Sequence, residues 1–117
     1  MILPSNELLS EVLGKDCNVV YIEANNLEYQ YDVNSHGTTS HGYIYKYDAI
    51  NIYELQHKMK EWAYKNSVYY IESYINSGGS YAMVYKEFSE EPYFNCIADT
   101  EFEAVVRASE FILKEIA

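Results

Sequence analysis

Apolar and polar positions alternate with period two in several runs of the chain, a pattern typical of half-buried β-strands. The clearest run is residues 27–33, LEYQYDV, which would place Leu, Tyr, Tyr and Val on one face and Glu, Gln and Asp on the other. Residues 18–24 precede it across two asparagines, which tolerate the backbone of a tight turn. The two runs therefore predict a β-hairpin, and residues 43–47 predict a third strand.

A second hairpin is predicted further along the chain. Residues 68–75 and 81–88 flank NSGGS at residues 76–80, whose glycines suit a turn between strands better than a phosphate-binding loop. Residues 93–98 predict one more strand. Pro92 restricts that strand to a sheet edge or to a start just after the proline, because proline cannot donate to the ladder.

Helical periodicity appears in three segments, each with its own end signals. Ser5 can cap a short helix that Gly14 ends, Asn51 caps the best-defined helix at residues 51–66, and Thr100 with Glu103 forms a capping box for the last. The element order is then αβββ–αβββ–α. We predict one α+β domain over residues 1–117, with helices packed on a largely antiparallel sheet.

The formal net charge is −10, from 18 acidic and 8 basic residues, and the acid is concentrated at the two ends of the chain. Residues 1–48 carry a net −5, residues 49–86 a net +1 and residues 87–117 a net −6. Such a surface repels phosphate backbones and anionic membranes and attracts basic proteins. Direct binding of nucleic acid or of a membrane is therefore not expected.

An acidic concentration near the C-terminus is the candidate partner-binding site. It lacks the pattern of a calcium-binding loop, which leaves two interpretations. The acids either form a solvated surface with no partner or imitate the phosphates of a nucleic acid. A phosphate mimic would dock onto a basic groove. The residues concerned are Glu87, Glu90, Glu91, Asp99, Glu101 and Glu103.

Fourteen tyrosines are the other outlier in composition. Most fall at period-two positions, so strand packing accounts for the majority, and an interface would account for any that form a patch. Cys17 and Cys96 have no paired spacing and are expected to be free thiols in a reducing compartment. No apolar run is long enough to cross a bilayer and no basic residue precedes the first apolar stretch, so we expect a cytoplasmic protein.

The stretch SHGTTSHG at residues 35–42 contains two histidines together with serines and threonines, residue types that can bind metal ions or take part in catalysis. His36 and His41 could supply two zinc ligands or an acid/base pair, but a zinc site needs three or four ligands. Asp32, Asp48 and His57 are the candidates for a third, and no motif fixes them relative to the loop. An exposed loop between strands, able to contact a partner, fits the composition best.

The runs NIYELQHKMKEWA and ADTEFEAVVRASEFILKE resemble segments of small uncharacterised phage-encoded α/β proteins, grouped as phage αβα-sandwich domains. The resemblance covers residues 50–63 and 97–115. It implies an accessory protein acting in a bacterial host cytoplasm, and small acidic phage proteins of this kind are similar to inhibitors of host defence, including anti-CRISPR proteins and DNA mimics. The family brings no assigned catalytic residues.

Three functional hypotheses follow. The first is a non-enzymatic protein, with no cofactor or metal, that docks onto a basic protein surface such as that of a nucleic-acid-binding host protein. The second is a homo-oligomeric accessory or structural protein whose tyrosine-rich strands pair between copies. The third is a small metal-dependent enzyme that uses the loop carrying His36 and His41.

Overall fold

The computed structural model describes residues 3–14, 17–23, 28–33, 38–39, 42–43 and 46–117, and gives side chains for residues 3–14 and 50–117. In this part of the chain the helices are α1 (Asn6–Leu13), α2 (Ile52–Asn66) and α3 (Glu101–Ile116). The strands are β1 (Cys17–Glu23), β2 (Glu28–Val33), β3 (Thr38–Thr39), β4 (Gly42–Tyr43), β5 (Lys46–Asn51), β6 (Tyr69–Asn76), β7 (Gly79–Lys86) and β8 (Phe94–Ala98). The predicted α+β class is confirmed.

The described strands form two three-stranded antiparallel sheets and a short ribbon. The first sheet has the order β1-β2-β5, the second β6-β7-β8, and β3 pairs with β4 alone. Both predicted hairpins are therefore confirmed. The third strand was expected at residues 43–47 but lies at Lys46–Asn51, because β5 pairs with all of β2 and runs directly into α2.

Helix α1 begins and ends as the sequence predicts. The Ser5 hydroxyl accepts a hydrogen bond from the backbone N–H of Leu8 at 3.1 Å, and Gly14 closes the helix in the left-handed conformation with φ of 71°. The backbone N–H and hydroxyl of Ser5 also donate to Glu110 Oε1 at 2.9 and 2.8 Å. These bonds tie the start of α1 to α3.

The other two helices have the predicted N-caps. The side chain of Asn51 accepts from the backbone N–H of Tyr53 at 2.9 Å, and the Thr100 hydroxyl accepts from that of Glu103 at 3.1 Å. Each cap satisfies a donor that the first turn of a helix leaves without an intrahelical partner. None of the helices in the described residues is long and apolar enough to cross a membrane.

The described hydrophobic core lies between the helices and one face of the second sheet. Val84 and Ile71 are paired across β7 and β6 on that face, and both are buried. Phe94 from β8 stacks on Phe111 of α3 with ring centroids 4.9 Å apart. The largest fully buried side chains are those of Phe102, Leu8, Leu9, Leu55, Met59, Ile112, Val84, Val105, Val106 and Ser109.

The turn between β6 and β7 matches the sequence prediction for NSGGS. Asn76 pairs with Gly79 across a two-residue connection, and the Asn76 side chain accepts from the backbone N–H of Gly78 at 2.8 Å. Gly79 has φ of 138°, which other residues rarely adopt. This hairpin sets the register of the strands that carry the candidate site.

Candidate functional site

The second sheet has one face turned away from the core, and we call it the outer face. Side chains that lie directly opposite one another on paired antiparallel strands share a face, so the register assigns its members. Ile71, Ala82 and Val84 point to the core, and the residues between them point outward. The outer face consists of Tyr70, Glu72, Tyr74, Tyr81, Met83, Tyr85, Asn95 and Ile97.

Four tyrosines on the outer face form two stacked pairs. The rings of Tyr70 and Tyr85 lie 5.7 Å apart at an interplanar angle of 21°, and those of Tyr74 and Tyr81 lie 5.1 Å apart at 16°. The Tyr85 hydroxyl donates to the sulfur of Met83 at 3.4 Å, which fixes that side chain between the pairs. An antiparallel sheet covered on one side normally presents polar residues to water on the other. This face is instead largely aromatic and apolar.

Three of the predicted acids lie at one end of the outer face. Glu87, Glu90 and Glu91 occupy the connection between β7 and β8, and all three are exposed. The connection is shaped by Ser89, whose N–H donates to the carbonyl of Lys86 at 3.0 Å and whose hydroxyl donates to that of Glu91 at 2.6 Å. Since β7 ends at Lys86, these carboxylates border the Tyr70–Tyr85 end of the face.

Asp99 is the predicted acid at the opposite end. It follows β8 directly and is exposed, and the preceding residue, Ala98, pairs with Ser80 beside the Tyr74–Tyr81 pair. The five residues of β8 separate it from Glu91's connection by about 17 Å. The structure thus divides the predicted acidic concentration between the two ends of the sheet rather than gathering it into one patch.

Glu101 and Glu103 are turned toward the protein instead of toward a partner. The Glu101 carboxylate accepts from Gln56 Nε2 at 2.7 Å and from the hydroxyl of Ser73 at 2.9 Å, so it joins α3 to α2 and β6. Glu103 is only 7% exposed. Both lie in the first turn of α3, where negative charge is favoured by the helix dipole. Their position indicates a contribution to the fold.

Two residues of this region were not singled out from the sequence. Glu72 is exposed between the tyrosine pairs and faces Met83 across the strands. The alternation of Tyr, Glu and Tyr at residues 70–74 could have placed it on the same face as the tyrosines. Phe88 is 96% exposed with φ of 65°, and nothing in the local sequence predicts that conformation.

A groove of about 790 Å³ opens beside Phe88, between the end of α2 and the strands β6 and β7. Its lining includes Tyr64 and Val68, which are 74% and 67% exposed. Lys86 also lines it, and its Nζ lies 5.4 Å from the Tyr69 ring centroid and 4.8 Å from that of Tyr93. Tyrosine rings of this sheet therefore already hold one cation. The groove extends the aromatic surface past the end of the outer face, since Tyr70 also lines it.

The structure describes part of the histidine-containing stretch at residues 35–42. Thr38–Thr39 pairs with Gly42–Tyr43, so the segment predicted to be a loop contains a short ribbon. His36 and His41 lie outside the described residues, as do the side chains of Asp32 and Asp48. Where side chains are described, there is no group of three or more His, Cys, Asp or Glu residues that could hold a metal ion. His57 is exposed on α2 with its Nε2 3.2 Å from Glu61 Oε1.

No protein-family model, curated protein or solved structure matches the chain.

Proposed function

We propose that the protein is a non-enzymatic binding module that docks onto a basic surface of another protein. The main support is the outer face itself, an aromatic surface on which Tyr74 is exposed and the other three tyrosines are half-buried, with exposed carboxylates at both ends. Protein interfaces are enriched in tyrosine and methionine at the centre and are polar at the rim. Tyrosine is also among the residues that dominate binding energy when they are desolvated at the centre of an interface.

Charge supports a basic protein as the partner. Glu87, Glu90, Glu91 and Asp99 are exposed at the ends of the face, and the whole chain carries a formal −10. Carboxylates at the rim of an interface accelerate encounter with a positive surface and select against negative ones, and their effect weakens as salt screens it. A nucleic acid would be repelled by the same field.

More specifically, we propose that the protein is a phage-encoded inhibitor of a nucleic-acid-binding host defence protein and acts in the bacterial cytoplasm. A protein that handles nucleic acid presents a basic groove, and an acidic array can occupy that groove as a phosphate backbone does. The resemblance at residues 50–63 and 97–115 supports a phage origin, and the exposed carboxylates at the two ends of the outer face support the mimicry.

The test is an affinity capture with variants matched in charge. The immobilised protein is incubated with bacterial lysate at about 50 mM and 300 mM salt, and retained proteins are identified by mass spectrometry. We expect a basic, nucleic-acid-binding protein to be retained at low salt, released at high salt and lost from the triple variant Glu87→Gln, Glu90→Gln, Glu91→Gln. A triple variant of exposed acids elsewhere, Glu7→Gln, Glu11→Gln, Glu115→Gln, should retain it. Equal retention by both variants, or none by the wild type, would refute the proposal.

Self-association through the same surface is the second candidate. Ile97 on the outer face is 57% exposed, and a second copy could cover it. Light scattering at micromolar concentration separates the two functions, because this candidate predicts a dimer mass and the docking proposal a monomer mass.

A further inference from the structure

We infer that the outer face recognises arginine side chains of its basic partner, whose guanidinium groups stack on the two tyrosine pairs and contact Glu72 between them. The inference rests on the proposed function and names the chemistry that the face selects. The arrangement of the two tyrosine pairs around Glu72 is the first observation that supports this inference. Tyr81 and Tyr85 are four residues apart on β7, which places the two pairs about 14 Å from each other, with Glu72 and Met83 between them.

The distribution of charge on the face is the second argument. Its eight residues include one acid, Glu72, and no base. The nearest cation in sequence, Lys86, is directed to the rings of Tyr69 and Tyr93 instead. Since both ends of the face carry further exposed carboxylates, a cation seated on the tyrosines lies between negative charges at the two ends. A second copy of the chain would bring Glu72 and the acidic ends against their own like charges.

The contact between Lys86 and the two rings is a precedent within the same sheet. Tyr69 of β6 and Tyr93, just before β8, meet this cation at 5.4 and 4.8 Å, distances at which the ring face attracts positive charge. On the outer face Tyr74 is 42% exposed, so part of its side chain is open to a partner.

Arginine suits this surface better than lysine for three physical reasons. Its guanidinium is planar and stacks on an aromatic ring, it is less strongly hydrated than an ammonium, and it can give two parallel hydrogen bonds to one carboxylate. Glu72 is exposed and positioned to accept such bonds while the flanking rings accept the stack. Lysine would gain the charge attraction but neither the stack nor the paired hydrogen bonds.

The experiment compares two peptides of equal charge. Fluorescein-labelled nona-arginine and nona-lysine are titrated with the full chain at about 150 mM salt, and binding is followed by fluorescence anisotropy. We expect nona-arginine to bind about tenfold tighter than nona-lysine. The double variant Tyr74→Leu, Tyr81→Leu removes one of the two stacked pairs and should show a clearly smaller preference for nona-arginine over nona-lysine. Tyr53→Leu removes an exposed tyrosine of α2 outside the outer face and should keep the preference.

Glu72→Gln provides a second variant that removes no packing, because Glu72 is exposed. It should reduce the arginine preference while leaving the thermal melt unchanged, and it decides the question if the tyrosine double variant does not fold. Equal binding of the two peptides by the wild type overturns the inference and leaves the proposed function standing. Binding of neither peptide overturns both. A dimer in sedimentation that the Tyr74 and Tyr81 substitutions dissolve, or tight binding of an oligothymidylate probe, also overturns the inference.

Discussion

Replacing Phe88 with glycine should stabilise the protein, although it removes a large aromatic side chain. Phe88 has φ of 65°, a left-handed conformation that costs an L-residue about 1–2 kcal/mol and that glycine adopts freely. Glycine loses about 0.5–1 kcal/mol through the greater freedom of its unfolded chain. Because the side chain is 96% exposed, its removal forfeits only about 0.2 kcal/mol of burial. The net gain is about 0.5 kcal/mol.

Urea unfolding followed by tryptophan fluorescence measures this difference, since Trp62 is buried on α2 and reports the core. We expect a higher midpoint with an unchanged slope, and a melting temperature raised by about 2 °C. Phe88→Ala is the control, because it loses the same contacts but keeps the left-handed backbone, and it should be slightly less stable than the wild type. If the glycine variant unfolds at or below the midpoint of the alanine variant, the backbone at Phe88 is not strained and the reasoning fails.

Three further expectations concern the caps and the thiol. Thr100→Ala should lower the free energy of unfolding by about 1 kcal/mol, since it removes the cap of α3, while Thr100→Ser should keep most of it. Gly14→Ala should cost about 1 kcal/mol although a Cβ there meets nothing within 4 Å, because φ of 71° disfavours any side chain. Burial raises the pKa of the Cys96 thiol, so in a Cys17→Ser background it should react with a disulfide reagent at pH 8 more slowly than glutathione does.

The raised pKa of Cys96 also fixes the sign of a pH effect on stability. Above about pH 8.5 the unfolded chain loses the thiol proton that the folded protein still holds, so the folded state is progressively disfavoured. Stability should therefore fall as the pH rises through that region, and Cys96→Ala should fall less. A reaction rate equal to that of glutathione would contradict the burial of this thiol.

The helices and hairpins could be predicted because their signals are local. The caps at Ser5, Asn51 and Thr100 and the turn at residues 76–80 each depend on neighbours within a few residues. The third strand was misplaced because its limits depend on a distant partner. The sequence pattern ends at residue 47, whereas strand β5 continues through Asp48 to Asn51. It continues because the backbone of β5 pairs with residues 28–33. The spacing of apolar residues within one strand does not determine which residues of another strand it pairs with.

The positions of the candidate site residues also depend partly on local sequence and partly on contacts with distant segments. A run of acids within 17 residues suggests one patch, but β8 crosses the sheet between Glu91 and Asp99 and carries the chain to the opposite end. The burial of Glu103 follows from its place on the inward side of α3, which periodicity alone could have indicated. The bonds from Glu101 to Gln56 and Ser73 join three elements and could not be read from any one of them.

Tyrosine content by itself does not distinguish strand packing from an interface, and the register of the second sheet is what separates the two. Tyr69 faces the core and is buried, whereas its neighbour Tyr70 stacks on Tyr85 at the surface. The stacked pairs Tyr70–Tyr85 and Tyr74–Tyr81 stabilise the sheet as cross-strand neighbours, and the same rings give its outer face a largely aromatic surface. The acidic residues also separate into a group that faces the protein and a group at the surface. Those that hold α3 in place are turned inward, and those at the ends of the tyrosine face remain open to a partner. The outer face, with its tyrosine pairs and the exposed carboxylates at its ends, is therefore where we propose that a basic protein binds.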